Sequence, residues 1–223
     1  MKRIAAISFD LDETLLYYRR SAAELLALSF ETCGIDPFFS AEEYVATFDE
    51  HTGTVDSIEE VRSACFTALA RERGYDPEIG SELAAVYSKN RDHRNVMLYP
   101  GAVEVLGSLG AQYPLALITN GPRSSQMEKI AETGIDEWFD IMVFAGEDTA
   151  PKPDPEPFEV VCTELDVPPA ATVHIGNSLE SDVAGAASAG LRAVWVSNGN
   201  QLTATEADYE VSEINEVLSL PLF

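Results

Sequence analysis

Five short apolar runs fix the class of fold before any other feature comes into play. They are Arg3 to Phe9 (RIAAISF), Pro114 to Asn120 (PLALITN), Phe139 to Gly146 (FDIMVFAG), Thr172 to Asn177 (TVHIGN) and Arg192 to Asn198 (RAVWVSN). None alternates strictly between apolar and polar residues, which is the pattern of strands covered on both faces. From the second run onward helix-like stretches separate them. SSQMEKIAETG carries Met127, Ile130 and Ala131 on one face and stops at Gly134, DPEPFEVVCTEL opens on Asp154 and Pro155, and SDVAGAASAG ends at Gly190. Strand and helix in alternation predict an α/β fold built on a doubly wound parallel sheet.

Between the first and second runs the period turns helical. Ala22, Leu25, Leu26 and Phe30 share a face before Cys33-Gly34, and Ser40 with Glu43 spells a capping box ahead of Tyr44, Val45 and Phe48. Ile58, Val61, Cys65 and Leu69 recur at helical spacing up to Gly74. Asp76-Pro77 then opens a segment with Ile79, Leu83, Val86 and Tyr87 on one side. Pro100-Gly101 begins GAVEVLGSLG, which leads back to the second strand. Four amphipathic helices in succession predict an α-helical bundle inserted as a cap, residues 19–94, into a core of residues 1–18 and 95–223.

In open parallel sheets ligands bind at the carboxyl ends of the strands, near the point where strand order reverses. Asp10 and Asp12 close the first run, Thr119-Asn120-Gly121 the second, and Asn177 the fourth, with Asp182 just beyond; Lys152 follows the third in APKPDPEPF. Carboxylates, an amide oxygen, a hydroxyl and a lysine at one edge suit a hard divalent cation together with a phosphate. Two carboxylates that close repel each other, and Mg²⁺, which prefers an octahedron of oxygen ligands, neutralises them. A carboxylate fixed beside a phosphate can act as a nucleophile and form an aspartyl-phosphate. Residues two apart on an extended strand point the same way, so Asp12 reaches the leaving-group oxygen from the side of Asp10. Lys152 would stabilise charge on the transferring phosphoryl group and Thr119 would orient it. Each feature alone is ordinary: an Asn-Gly turn, a proline-shaped loop, a helix cap. DLDETLL also fails as an EF-hand start, because Leu15 stands where that loop needs glycine. Their joint order at the strand ends carries the argument.

DLDETL, LITNG, KPDPEPF and IGNSLESDVAGA, in that order, resemble the four motifs of the haloacid dehalogenase-like hydrolase superfamily, and the insertion falls where that family carries its helical cap. The resemblance implies a Rossmann-like core, Mg²⁺ dependence, Asp10 as nucleophile and Asp12 as general acid and then base. It further implies phosphate binding by Thr119, Asn120, Gly121 and Lys152, and a metal site of Asp10, Asp12, Asn177 and Asp182. Dehalogenases of this family lack the second aspartate of the first motif, so Asp12 favours phosphoryl transfer. The fourth motif usually begins Gly-Asp, whereas this chain has Gly176-Asn177. Asparagine keeps one oxygen and loses a charge, which predicts weaker Mg²⁺ affinity and leaves open a catalytically weak or silent phosphate-binding or regulatory protein. The form TNG-PRSSQMEKI is similar to the subgroup of pyrimidine-nucleotide and sugar-acid phosphatases, and a phosphomutase would use the same four motifs. A phosphonatase needs a cap lysine as Schiff base, and Lys89, the only cap lysine, stands in the polar run YSKNRDHRN. Arg19, Arg20 and the run Arg91 to Arg94 flank the cap–core junction. They either contact an anionic substrate or pair with surface carboxylates.

Composition then removes partner classes. With 38 Asp+Glu against 14 Lys+Arg the formal net charge is −24 and the pI about 4.2, which opposes binding to nucleic acid or anionic membranes. So acidic and lysine-poor a surface predicts adaptation to concentrated cytoplasmic salt. There is no apolar run of about 18 residues for a membrane span. The opening MKRIAAIS is cut by Asp10 and Asp12 before it could serve as a signal peptide. Cys33, Cys65 and Cys162 are odd in number and have no CxxC spacing, so they read as small packing residues in a reducing compartment. His174, Trp138 and Trp195 read as core. The whole predicts a cytoplasmic, Mg²⁺-dependent phosphatase of a small-metabolite phosphate monoester, as monomer or homodimer.

Overall fold

The structure, a computed structural model, describes residues 3–51, 58–199 and 206–223. The chain divides into two compact units, Met1–Tyr17 with Val96–Phe223, and Tyr18–Asn95. The strands in chain order are β1 (Ala6–Phe9), β2 (Leu16–Tyr18), β3 (Val96–Leu98), β4 (Leu115–Asn120), β5 (Ile141–Ala145), β6 (Thr172–Gly176), β7 (Arg192–Val196) and β8 (Tyr209–Val211). The helices are α1 (Ala22–Cys33), α2 (Ala41–His51), α3 (Ile58–Glu72), α4 (Pro77–Asn90), α5 (Ala102–Gly110), α6 (Arg123–Thr133), α7 (Glu156–Glu164) and α8 (Ala184–Ser188).

In the first unit the five runs read from sequence form strands, and all pairings in the main sheet are parallel, in the order β5-β4-β1-β6-β7-β8. The order reverses at β1, where Ile7 lies opposite both Leu115 and Val173. All four residues of β1 are buried, as a strand sandwiched between helical layers requires. On one face Ile118, Val143, Phe158, Val161, Val183 and Trp195 pack into a single cluster. Fully burying a side chain such as Phe158 is worth roughly 1.5–3 kcal/mol. The sheet is the Rossmann-like, doubly wound one predicted.

Three strands were not legible. β2 and β3 pair in a ribbon of their own and β8 adds to the sheet beside β7, yet each is three residues long and shows no period of its own. The face of α6 also differs from the reading: Gln126, Lys129 and Ile130 are buried, whereas Met127 and Ala131 are exposed. The reason lies in the partners that Gln126 and Lys129 meet, described below.

Among the described residues the second unit is built of four helices. Leu25, Leu26, Phe30, Phe39, Tyr44, Val61, Cys65, Phe66, Leu69, Leu83 and Tyr87 form its core. The Phe66 ring packs edge-on at 4.9 Å from Tyr44, 5.1 Å from Phe39 and 5.5 Å from Tyr87. Gly80 lets α4 ride against α3, since a Cβ there would stand 2.5 Å from the Phe66 carbonyl oxygen. The caps are those the sequence spells. Ser40 and Glu43 close their reciprocal box at 2.8 and 3.2 Å, Asp76 accepts from the Glu78 N–H, and Gly34 ends α1 with φ of 66°. Val45 points outward, and the side chain of Ile58 lies outside the described residues. Among the described residues no helix is long and apolar enough to cross a membrane.

Candidate active site

The carboxyl ends of β1, β4 and β6 meet the loop after β5, and each contributes a side chain. Asp10 follows β1 and is tied to β6 by its N–H, which donates to the Ile175 carbonyl at 2.9 Å. Lys152, only 4% exposed, spends all three ammonium protons on oxygens: Asp10 Oδ1 at 2.6 Å, Asp182 Oδ1 at 2.6 Å and the Ile118 carbonyl at 2.9 Å. Its backbone is bracketed by Asn120, whose Oδ1 accepts the Lys152 N–H at 2.9 Å and whose Nδ2 donates to the Lys152 carbonyl at 3.0 Å. Asn120 thus braces the lysine loop.

Asp182 arrives from a single π turn, Leu179–Val183, that Ser178 caps. Its Oδ2 accepts the Ser178 N–H at 2.9 Å, and Oδ1 lies 3.4 Å from His174 Nε2 as well as on Lys152. His174 is buried in β6 and faces Ser8 through Nδ1 at 2.9 Å, a packed residue as read. Gly176 is required by this seat, because a Cβ there would fall 2.4 Å from the Asp182 carboxyl carbon.

Burial in low dielectric sets the charges against one another. It pushes the Asp10 carboxyl up to about 7 against the pull of the Lys152 ammonium, and Asp182 adds to the rise. For Asp182 burial also opposes ionisation, but Lys152 and then His174 hold it well below the usual carboxylate range. Burial likewise opposes the charge on Lys152, and Asp10 and Asp182 together hold its pKa above the ordinary lysine value. Burial holds His174 below its ordinary value.

A second lysine serves the other aspartate. Lys129 Nζ lies 2.8 Å from both oxygens of Asp12, and Gln126 Nε2 lies 2.9 Å from Asp12 Oδ2, 2.8 Å from Thr119 Oγ1 and 3.0 Å from the Asn120 carbonyl. The other amide atom, Gln126 Oε1, is buried without a partner. Gly121, with φ of 127°, clears room for that amide: a Cβ there would stand 3.2 Å from Gln126 Nε2. Lys129 and Gln126 were missed from the sequence, where the pair reads as the polar side of α6. The available signal was their i, i+3 spacing on the helix that leaves TNG.

Among the described residues no three carboxylates, imidazoles or thiols gather to hold a metal ion. Of the four residues assigned to a cation from sequence, the carboxylate of Asp12 is held by Lys129 and Gln126, and that of Asp182 by Lys152 and Ser178. Asp10 and Asn177 share a neighbour instead: the Thr14 hydroxyl lies 3.3 Å from Asp10 Oδ2 and 3.3 Å from Asn177 Oδ1. One proton cannot satisfy both, so these hard oxygens keep lone pairs, the donor chemistry that suits Mg²⁺.

The sequence matches the haloacid dehalogenase-like hydrolase family across residues 4–190, and the chain belongs to that family. A phosphoserine phosphatase of Thermus thermophilus is 35% identical over 159 residues, which cover 70% of this chain and 63% of that protein. The N-acylneuraminate-9-phosphatase of Mus musculus is 28% identical over 237 residues, covering 99% of this chain and 94% of its own. The fold matches the HAD-hydrolase YfnB of Bacillus subtilis, solved bound to magnesium and described as revealing interdomain movement, with a TM-score of 0.77 and 28% identity over 98% of both chains.

Proposed function

We propose that this hydrolase is a Mg²⁺-dependent phosphatase that cleaves a small phosphate monoester through an aspartyl-phosphate on Asp10. The observation that carries the reading is the bridge of Lys152 between Asp10 Oδ1 and Asp182 Oδ1, which fixes the Asp10 carboxylate by one oxygen and leaves Oδ2 to a single long contact from Thr14. The family match and the two named phosphatases support it. Asp10 and Asn177 would hold Mg²⁺, whose charge, when bound, stabilises ionised Asp10 and the transferring phosphoryl group.

Asp10 Oδ attacks phosphorus while the ester P–O bond breaks, and the departing alkoxide takes a proton from Asp12. Asp12 then removes a proton from water, which attacks the aspartyl-phosphate and releases inorganic phosphate and free Asp10. Thr119 Oγ1 accepts from Gln126 and so has its own proton to give to a phosphate oxygen. Lys152 neutralises charge on the phosphoryl group, Asp182 keeps Lys152 in register, and Lys129 with Gln126 aims Asp12. Residues 19–94 act as the cap that selects the substrate.

Release of inorganic phosphate from a panel of phosphate monoesters, with Mg²⁺ and with EDTA, tests the reading. Asp10→Asn is expected to cut turnover by about 10³-fold or more with circular dichroism unchanged; substantial residual turnover would sink the mechanism. Asn177→Asp restores a charge beside the cation and is expected to lower the Mg²⁺ concentration giving half-maximal rate. An unchanged requirement would remove Asn177 from the site.

A further inference from the structure

Among the described residues three that are not glycine take a positive φ: Glu13 at 56°, Asp166 at 52° and Asn198 at 50°. Asparagine and aspartate tolerate this left-handed region, whereas glutamate is strained there. Glu13 is the exception, and it stands between two residues of the candidate site. Asp12 before it is held by Lys129 and Gln126, and the Thr14 hydroxyl after it lies 3.3 Å from Asp10 Oδ2. Four residues of extended chain would span about 13 Å, so Thr14 returns to Asp10 because the backbone reverses here. The N–H groups of Thr14, Leu15 and Leu16 all donate to the Leu11 carbonyl, at 3.4, 3.0 and 3.2 Å, and the Glu13 N–H donates to the Leu16 carbonyl at 2.8 Å.

Strain of this kind persists where the surroundings over-determine it. Two side chains of the same unit do so. The Tyr99 hydroxyl donates to Glu13 Oε2 at 2.7 Å, and Asn198 Nδ2 donates to the Glu13 carbonyl at 2.6 Å. Tyr99 is itself pinned, since its N–H donates to the Leu15 carbonyl at 2.9 Å and its ring packs 4.8 Å from that of Tyr17. Burial, and then the Glu13 carboxylate, hold its phenol above the ordinary tyrosine value, so it keeps the proton it donates. Glycine would take the same φ without strain. What glutamate adds is a carboxylate, and that carboxylate meets Tyr99.

We propose that Glu13 and Tyr99 are positioning residues for the phosphatase reaction: their hydrogen bond holds the left-handed turn that aims Asp12 as proton donor to the departing alkoxide. The inference rests on the phosphatase reading. A clasp that merely closes a loop is felt in stability and slows all substrates alike. A clasp that aims an acid is felt most where the leaving group needs a proton.

Two esters, each assayed with Mg²⁺, separate these roles. Glycerol 3-phosphate loses an alkoxide that must be protonated as it leaves, whereas p-nitrophenyl phosphate loses a phenolate that is stable without a proton. Because kcat/KM covers the steps up to the aspartyl-phosphate, its ratio for the two esters isolates the proton donation. Tyr99→Phe is expected to lower kcat/KM about tenfold or more for glycerol 3-phosphate and less than about threefold for p-nitrophenyl phosphate. Glu13→Gln keeps an acceptor for the phenol and should retain at least about half of the glycerol 3-phosphate rate. Glu13→Gly relieves the backbone strain, yet it should lose the alkyl ester as Tyr99→Phe does, and adding Tyr99→Phe to it should cost nothing further, since both break one contact. Equal losses on the two esters, or unaltered rates in Tyr99→Phe and Glu13→Gly, overturn the inference and leave the phosphatase reading standing. No phosphate release from either ester by the unaltered chain sinks that reading, and the inference with it.

Discussion

Among the described residues the sheet unit's two buried lysines end on carboxylates, Lys152 on Asp10 and Asp182 and Lys129 on Asp12, whereas in the helical unit Arg62, equally buried, ends on a phenol and a serine hydroxyl. The first arrangement sets two ammoniums against three carboxylates. Each cation lowers the cost of the acid beside it, and the whole can fold with nothing bound. The second meets its guanidinium with neutral oxygens and a ring face. Buried ammoniums stand where acids need them, while the buried guanidinium is accommodated by hydroxyl oxygens and an aromatic face.

The contrast can be broken most forcefully at Lys152. Lys152→Met strands Asp10 and Asp182 together with no cation, and removing one partner from a buried pair costs about 3–5 kcal/mol. Urea unfolding should show a loss of that size, and phosphate release should vanish. Lys129→Met is expected to act on rate more than on stability, because Asp12 is 35% exposed at its side chain and water can take over part of its solvation. The expected outcome is a kcat lowered about 10–100-fold with KM within twofold, since a group that aims an acid–base residue is felt in the transition state; Lys129→Arg should recover part of it. A rise in KM with kcat intact would instead make Lys129 a binding residue. At the small end stands Arg73→Met, which removes an exposed pair with Glu43. Its unfolding midpoint in urea should move by less than the equivalent of about 0.5 kcal/mol, and a larger loss would mean that exposed pairs in this acidic chain are worth more than usual.

Much of the placement of the candidate site was legible because its residues close apolar runs. Asp10, Thr119 and Asn177 each stand where a buried strand meets polar sequence, so their place at the sheet edge follows from the strands themselves. Lys129 and Gln126 were not legible for the opposite reason. Their burial is decided by Asp12 and Thr119, which reach them from other elements, and a period count files lysine and glutamine with the solvent face. Met127 was assigned inward by the same count and lies exposed. The role of Asn120 was equally hidden, since nothing in TNG tells an amide that faces a ligand from one that clasps the backbone of a loop 32 residues away. Strands of three residues, as in β2, β3 and β8, carry too few side chains to show a period, and their existence depends on a neighbour.

The position of β1 in the middle of the sheet has a consequence for how the chain is made. Its partners are β4 and β6, so Ile7 must wait for Leu115 and Val173. At a synthesis rate of about 5–20 residues per second, roughly 10–30 s separate the emergence of Asp10 from that of Asp182. The helical segment, whose contacts are close in sequence, has time to collapse in that interval, whereas an apolar first strand has nothing to pair with and stays open to other chains. Escape from aggregation at the ribosome is therefore a demand on Ala6–Phe9, separate from anything their finished seat between two strands requires.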